Sequence, residues 1–386
     1  MNMKKKIAIL SAIVASGTMM TAQAGGYKIT SEDGESYLKI GGRIQLQYHA
    51  VEPSEGESTD ELFFRRLRPY IEGSLYKDWK AKFQFDMGKS KTEIKDMYFQ
   101  YKGYDFGNVT LGNKTFPFSR EQLTSSKTQG VVERTFVGDH NYGSPDRQVG
   151  IYLDGGSDML TYGLGVAMGA IDTSNSKLDF DSVASLNKGD DWNEGPMFGG
   201  RVEIHPMGKI NFSQGALSGK EEFKASFGIG AFSWSNDDDM FAMSEDDDGV
   251  ESIADDNVDS VTGLEVSGAV RVAGLSLDVQ FNSFDSETTV AGTTSGIYKD
   301  GSTTLEAFAI EGGYTVVPEL LELVLAFSAL DADGYEETWA RTELGLNYYV
   351  HKHDIKYQLT YRVNEDQDGE AGNDVDELFV QAQFVF

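Results

Sequence analysis

The sequence predicts an all-β fold, a transmembrane antiparallel β-barrel of about 16 strands. Three observations point there. Segments of roughly ten residues alternate apolar and polar side chains, which is the period of a strand with two unlike faces. Long polar connections alternate with tight turns. The last segment places Leu378, Val380, Ala382, Phe384 and Phe386 on one apolar face that ends on the terminal Phe.

Composition narrows the field first. The 386 residues carry 43 Gly, 7 Pro and no Cys, and the net charge is −29. Many Gly and aromatic residues with few Pro favour β structure. Only Ile7 to Ser16 is a long uncharged apolar run, and a spanning helix needs about 18 or more such residues. Absence of Cys excludes a disulfide scaffold and a Cys-ligated metal. So acidic a chain does not suit nucleic acid, whose phosphates need Lys and Arg on one face.

At the amino terminus Lys4, Lys5 and Lys6 precede the apolar run, and Ala22-Gln23-Ala24 supplies small residues two apart. That is the pattern of a cleaved secretory signal, so residues 1–24 are expected to be removed and 25–386 to form the barrel. With no Cys there is no lipoprotein anchor, and export fits a bacterial envelope protein.

Strands are predicted at 37–50, 62–77, 79–87, 93–103, 108–114, 147–154, 159–170, 197–205, 222–235, 259–272, 274–285, 304–314, 319–330, 337–349, 354–364 and 375–386. In the first, Leu38, Ile40, Ile44, Leu46 and Tyr48 oppose Lys39, Arg43, Gln45, Gln47 and His49. In the second, Leu67, Pro69, Ile71 and Leu75 oppose Arg66, Arg68, Tyr70, Glu72 and Ser74. In the third, Trp79, Ala81, Phe83, Phe85 and Met87 oppose Lys80, Lys82, Gln84 and Asp86. A soluble sandwich would alternate as well, so the connections decide. Polar stretches at 51–61, 115–146, 171–196, 236–258, 286–303 and 365–374 follow odd-numbered strands, while tight turns follow even-numbered ones, as in an outer-membrane barrel. Two connections break the rule: 206–221 is too long for a turn and 88–92 too short for a typical loop. Trp339, Tyr348, Tyr349 and Phe386 are candidates for the interfacial aromatic girdles or for plain packing.

Charge is unevenly placed. Residues 25–154 hold 18 Lys plus Arg against 19 Asp plus Glu, whereas 155–386 hold 12 against 43. On the strand phases Arg43, Arg66, Arg68, Lys80 and Lys82 point into the barrel, and Lys114, Arg120, Lys127, Arg134 and Arg147 sit in or beside the 115–146 loop. Fixed cations in a narrow passage concentrate anions. The bland reading pairs each base with an acid such as Glu72, Asp86 or Asp96. Acidic runs at Asp237–Asp239, Asp246–Asp248 and Asp255-Asp256 lack the spacing of a calcium loop and read as solvated loops, bridged weakly to lipopolysaccharide by divalent ions. His49, His140, His205, His351 and His353 are too scattered for a metal motif, and no nucleophile elbow marks a hydrolase. No cofactor is indicated.

The ordered series Phe64-Arg65-Arg66-Leu67-Arg68, Ile94-Lys95-Asp96-Met97-Tyr98, Gly112 with Pro117-Phe118-Ser119, Leu123-Thr124-Ser125-Ser126, Glu133-Arg134 and Asp146-Arg147-Gln148-Val149-Gly150-Ile151 resembles the phosphate-selective porin O and P family. The resemblance implies a trimeric barrel in the bacterial outer membrane whose third extracellular loop, here 115–146, folds inward, with arginines and lysines guiding anions such as phosphate or polyphosphate. It implies Arg66 and Arg68 as wall cations, Arg134 and Arg147 flanking the constriction, and Lys127 next. The carboxy-terminal strand resembles the signal read by the barrel assembly machinery. Thr115-Phe116 stand where the family usually has a base nearer the proline, which bears on phosphate specificity more than on channel function. A general or cation-preferring porin, an outer-membrane hydrolase and an adhesin barrel remain alternatives.

Overall fold

The structure is a computed structural model that describes residues 19–23, 26–171, 177–180, 193–237, 243–245, 251–253 and 258–386. Strands β1 (Met19–Gln23) and β2 (Gly26–Thr30) lead into β3 (Tyr37–Gly41), β4 (Arg43–Pro53), β5 (Thr59–Leu67), β6 (Tyr70–Leu75), β7 (Trp79–Asp86), β8 (Glu93–Tyr104) and β9 (Gly107–Thr115). After a short helix, α1 (Arg120–Leu123), come β10 (Arg147–Gly156), β11 (Leu160–Ile171), β12 (Asn193–Ile204) and β13 (Lys224–Ser235). A separate hairpin follows, β14 (Met243–Glu245) with β15 (Glu251–Ile253). The wall then continues as β16 (Val258–Val272), β17 (Leu275–Thr288), β18 (Ser302–Val317), β19 (Leu321–Asp331), β20 (Trp339–His351), β21 (Ile355–Glu365) and β22 (Val375–Val385).

All but the hairpin belong to one 20-stranded sheet in which neighbours run antiparallel. It closes on itself because β22 pairs with β4, from Val375 opposite Pro53 to Val385 opposite Arg43. Two passes are interrupted. At Gly42, between β3 and β4, the ladder is carried by Gly42 and Phe386 exchanging both backbone hydrogen bonds, and by Arg43 and Arg68 doing the same. At Arg68-Pro69, between β5 and β6, the missing Pro donor is spanned by Phe85 N donating to Pro69 O. Setting aside β1 and β2 and taking each interrupted pair as one, the twenty strands make sixteen passes. Closure removes the unpaired edges that an open sheet would expose.

The wall is apolar outside and polar inside. Leu325 and Leu344 are 60% exposed on the outer face, in company with Phe83, Ile151, Phe198, Ile229 and Val380. The opposite phase of the same strands is buried and polar: Gln45, Gln47, Gln148, Glu265, Asn282, Asn347, Gln358 and Gln381. A chain folded against water would reverse this; a barrel in lipid requires it.

Connections follow the expected rhythm. The tight turns include Ala273-Gly274, both at positive φ, which matches a two-residue hairpin turn to the twist of its strands. Of the two irregular connections, 88–92 closes on the β5 backbone, with Met87 N donating to Leu67 O, and is short because it packs there. The 205–223 connection is long because it folds into the bore from the short-turn end, burying Ile210, Gln214 and Ala216.

The four aromatic candidates divide between the girdle and packing roles. Tyr348 and Phe386 do lie exposed on the outside, but Trp339 is 2% and Tyr349 1% exposed, both inside. Trp339 packs edge-on against Phe136 and Tyr142, and Tyr349 donates its hydroxyl to Glu322 at 2.5 Å. The acidic runs fall largely outside the described residues; only Asp237 of them lies within. Among the described residues no His, Asp or Glu cluster has metal-binding geometry.

Candidate functional site

The 116–146 segment, the third connection at the long-loop end, crosses the bore. Its tip is pinned by the far wall: Asn347 Nδ2 donates to Gly130 O at 2.8 Å, Lys356 Nζ to Gln129 O at 2.9 Å, and Gln45 Nε2 to Ser126 O at 3.2 Å. Deeper along it, Asn282 Nδ2 donates to Val137 O at 2.9 Å, and Gln280 Oε1 accepts from Glu121 N at 3.0 Å. Phe116, Phe118 and Phe136 are wholly buried in an aromatic cluster with Tyr152, Phe232, Phe284 and Trp339. Arg341 seals its edge, its Cζ lying 3.9 Å from the Phe136 ring centroid and 4.3 Å from that of Trp339; such stacked guanidiniums contribute about 0.5–2 kcal/mol each. Residues 177–180 close down on the same segment, with Phe180 N donating to His140 O.

What this leaves open is a cavity of about 840 Å3 between the loop and the wall of β3 to β9. Thirteen Lys and Arg line it against seven Asp and Glu, a net of +6 inside a chain of −29. Eight of the ten predicted cations are there: Arg43, Arg66, Arg68, Lys82, Lys114, Lys127, Arg134 and Arg147. Lys80 is not, and pairs with Glu72 at 2.7 Å. Arg120 lies behind the loop, 3% exposed, bound to Glu203 at 2.5 Å and Asp278 at 3.4 Å.

Several wall cations are paired as the bland reading expected. Arg68 reaches Asp86 at 2.5 Å, Lys82 reaches Asp96 at 2.5 Å, and Arg147 bridges Asp96 and Asp146 at 2.7 and 2.8 Å. Lys114 meets Asp154 at 2.5 Å. Arg43, Lys127 and Arg134 differ: among the described residues none has a carboxylate within ion-pair distance. Arg43 has only Ser125 Oγ at 3.4 Å, and Arg134 donates to Thr124 O at 2.9 Å, the carbonyl just past α1. The Nε groups of Arg43, Arg66 and Arg134 are buried without a protein acceptor. A buried donor without an acceptor costs about 1–3 kcal/mol, which an oxyanion would offset.

Five lining bases fell outside the predicted set, Lys39, Arg65, Lys89, Lys91 and Lys95, and two of them are brought in by bulges. Gln45 faces Arg66 but the next wall residue, Leu46, faces Phe64, so Arg65 is the extra residue of a β-bulge. Strict alternation would send Arg65 outward; the bulge turns it into the bore beside Arg66. Arg65 then grips Glu133 by two hydrogen bonds, 2.5 and 2.9 Å, and Arg66 joins at 3.3 Å. A second shift, between Phe83 and Phe85, adds Lys95 to the lining next to Asp96. The consecutive bases of Phe64-Arg65-Arg66 were the only available signal of the bulges.

Ionisation in the loop follows these contacts. Burial would raise the Glu133 carboxyl, but Arg65 and Arg66 hold it well below the ordinary carboxylate range. Asp146 is likewise held low by Arg147 and Lys95 against the effect of burial. Burial pushes Glu121 up to about 7, although Thr135 donates to it twice. Burial depresses the Lys127 ammonium, opposed by Asp354 and reinforced by Arg43, Lys39 and Lys82.

Among the described residues, His49, His140 and His205 are each held by specific partners. His49 Nε2 meets Glu377 at 2.9 Å and His140 Nδ1 meets Asp179 at 2.6 Å. His205 Nδ1 lies 2.7 Å from Ser226 Oγ, but its other nitrogen is held by the Thr161 hydroxyl where a triad carries a carboxylate. Both His205 and Ser226 are 1% exposed.

Comparison with known proteins agrees with this architecture. Residues 38–189 match the family model of phosphate-selective porin O and P. Porin O of Pseudomonas aeruginosa is 31% identical over 140 residues, a match that spans only 32% of this chain and 32% of that protein. Among solved structures, the anion-selective porin from Comamonas acidovorans superposes with a TM-score of 0.60 at 15% identity, over 91% of this chain and 100% of that one. A loop-deletion mutant of OmpT, an outer membrane protein of Vibrio cholerae, gives 0.60 at 10% over 91% and 100%. The outer membrane channel DcaP of Acinetobacter baumannii gives 0.57 at 14% over 92% and 99%. Over residues 38–189 the chain is thus similar to the phosphate-selective porin O and P family, on a barrel with the fold of the outer-membrane porins.

Proposed function

We propose that the protein is a passive outer-membrane channel that favours anions, phosphate or polyphosphate among them, through the cationic passage beside the 116–146 loop. One observation carries this: the passage is net positive although the chain is strongly negative. Its arginines present planar forks suited to oxyanions, and among the described residues Arg43, Lys127 and Arg134 have no carboxylate within ion-pair distance to satisfy them first. Three buried acids of residues 155–386 are paired away from the passage, Glu203 and Glu265 with Arg201 and Glu343 with Arg362. That weakens the cation-preferring alternative, and no covalent chemistry is required.

This reading includes removal of residues 1–24, lipid and lipopolysaccharide against the apolar outer face, insertion by the barrel assembly machinery through β22, and a homotrimer in the membrane. A trimer form is known for OmpT of Vibrio cholerae. The test is the reversal potential of purified protein in a planar bilayer under a potassium chloride gradient. The sign for chloride preference is expected, and the sign for potassium preference overturns the reading.

A further inference from the structure

Behind the constriction, towards the short-turn end, lies a second cavity of about 530 Å3. It shares Lys114, Thr115 and Leu123 with the cationic passage, so the two are consecutive chambers meeting beneath the loop. Their chemistry differs. The lining of the second is mostly carbon, with Pro117 and Leu123 from the loop above and Phe212 from the inward 205–223 connection. The Phe212 ring is fixed by two guanidiniums, with Arg120 Cζ and Arg201 Cζ each 5.5 Å from its centroid. Those charges are already spent: Arg120 binds Glu203 and Asp278, and Arg201 binds Glu203 and Glu265. Lys114 at the junction is held by Asp154.

Such a chamber offers little to inorganic phosphate, which loses hydration against carbon and finds Arg201 and Lys114 already paired, leaving Lys209 as the one lining base with no ion pair among the described residues. Its volume and lining are those of sites that bury organic molecules, which run to about 300–1,000 Å3 with few polar groups. We propose that the chamber receives the apolar part of a small organic anion, an aromatic or short-chain phosphoester or carboxylate, while the acid group rests on the cations across Leu123. This deepens the anion-channel reading and rests on it.

Phenyl phosphate and inorganic phosphate at pH 8 test it, because both present a dianionic phosphoryl group and differ in the ring. Block of chloride current in a planar bilayer is measured for each. The ring is expected to lower the half-blocking concentration by on the order of tenfold, as burial of part of an aromatic surface supplies. Phe212→Ala and, separately, Leu123→Ser bring the ratio of the two half-blocking concentrations toward one. Arg43→Gln weakens both and keeps the ratio. Equal block of the wild-type channel by the two anions overturns the proposal, as does a ratio that survives both chamber variants. A chloride-preferring current with equal block removes the organic-anion inference alone, whereas a potassium-preferring current with neither block removes the anion reading beneath it.

Discussion

Gln214 Oε1 accepts the Gly130 N–H at 2.8 Å, so a segment entering from the short-turn end holds the tip of the loop that descends from the other. The contact is reciprocal in direction, since Gln214 N donates to Thr128 O at 2.9 Å. The connection is itself tied to the wall, with Arg271 Nη2 donating to Ser213 O at 2.8 Å and Thr315 Oγ1 to Ala216 O at 2.8 Å. Gln214→Ala removes the acceptor and leaves the buried Gly130 N–H without its partner, a loss of about 1–3 kcal/mol. Open-channel current noise and the frequency of partial closures should rise several-fold in single-channel recordings, with the barrel itself still resistant to trypsin. A quiet channel identical to wild type would show that the brace does not hold the loop.

Removing Arg43 and removing Arg120 should have opposite signatures. Arg43 stands in the passage with no carboxylate in ion-pair distance among the described residues, so Arg43→Gln takes away charge that acts on the permeant ion. The chloride-to-potassium permeability ratio is expected to fall by about threefold to tenfold, an effect of fixed charge in a confined passage. Arg120→Gln instead takes one of two cations from each of Glu203 and Asp278, which keep Arg201 and Arg271, so the loss stays below about 3–5 kcal/mol, the cost of a buried pair broken outright. Its effect should be read in a lower thermal unfolding temperature. The permeability ratio from reversal potentials separates the two.

The wall was legible because a barrel in lipid imposes one rule on every strand: Ile40 out, Lys39 in, with the same parity through Trp79 and Lys80. The bore was less so. Arg65 and Lys95 face inward only because bulges break that parity, and a bulge leaves little trace in a single sequence. Trp339 and Tyr349 were open to a girdle role because aromatic residues near strand ends suit it, but the inward loop supplies Phe136 and its neighbours as a competing apolar surface. Which cations remain free could not be read at all. Arg68 is spent on Asp86, 18 residues away, and Arg120 on Glu203, 83 residues away; only the closed barrel decides those pairings. The 205–223 connection was visible as an anomaly of length, with nothing in it to say that it turns inward.

Glu133 is the acid whose removal should strengthen the site. It draws Arg65 and Arg66 together, and both guanidiniums line the passage. Glu133→Gln removes one negative charge while an amide oxygen can still accept one hydrogen bond. Phosphate block of the chloride current should tighten by about threefold to tenfold, for the added net charge. Glu133→Ala should add loop noise to the same gain, because the two-pronged grip of Arg65 is then lost. Weaker block in Glu133→Gln would mean that the carboxylate positions the arginines for the anion and does not compete with it.

The loop should loosen as pH rises, and two groups set the window. Glu121 is buried, its carboxyl pushed up to about 7, with Thr135, Arg134 and Glu343 around it. In a released loop it would titrate near 4.5, so between these values the docked loop holds a proton that the released one does not. Docking therefore weakens by about 1.4 kcal/mol per pH unit across that interval and no further above it. Burial pulls His140 down, but the Asp179 carboxylate outweighs it and lifts the imidazole to about 9. A raised histidine stabilises fully below its free value near 6.5, and that contribution disappears as pH climbs through 9. The two effects have the same sign and adjoin, so protease nicking within 116–146 of the folded channel should accelerate steadily from pH 5 to 9. Glu121→Gln should flatten the lower half of that curve and His140→Gln the upper half. A rate independent of pH in the wild type, after correction for the protease's own profile, would show that neither group titrates with loop release.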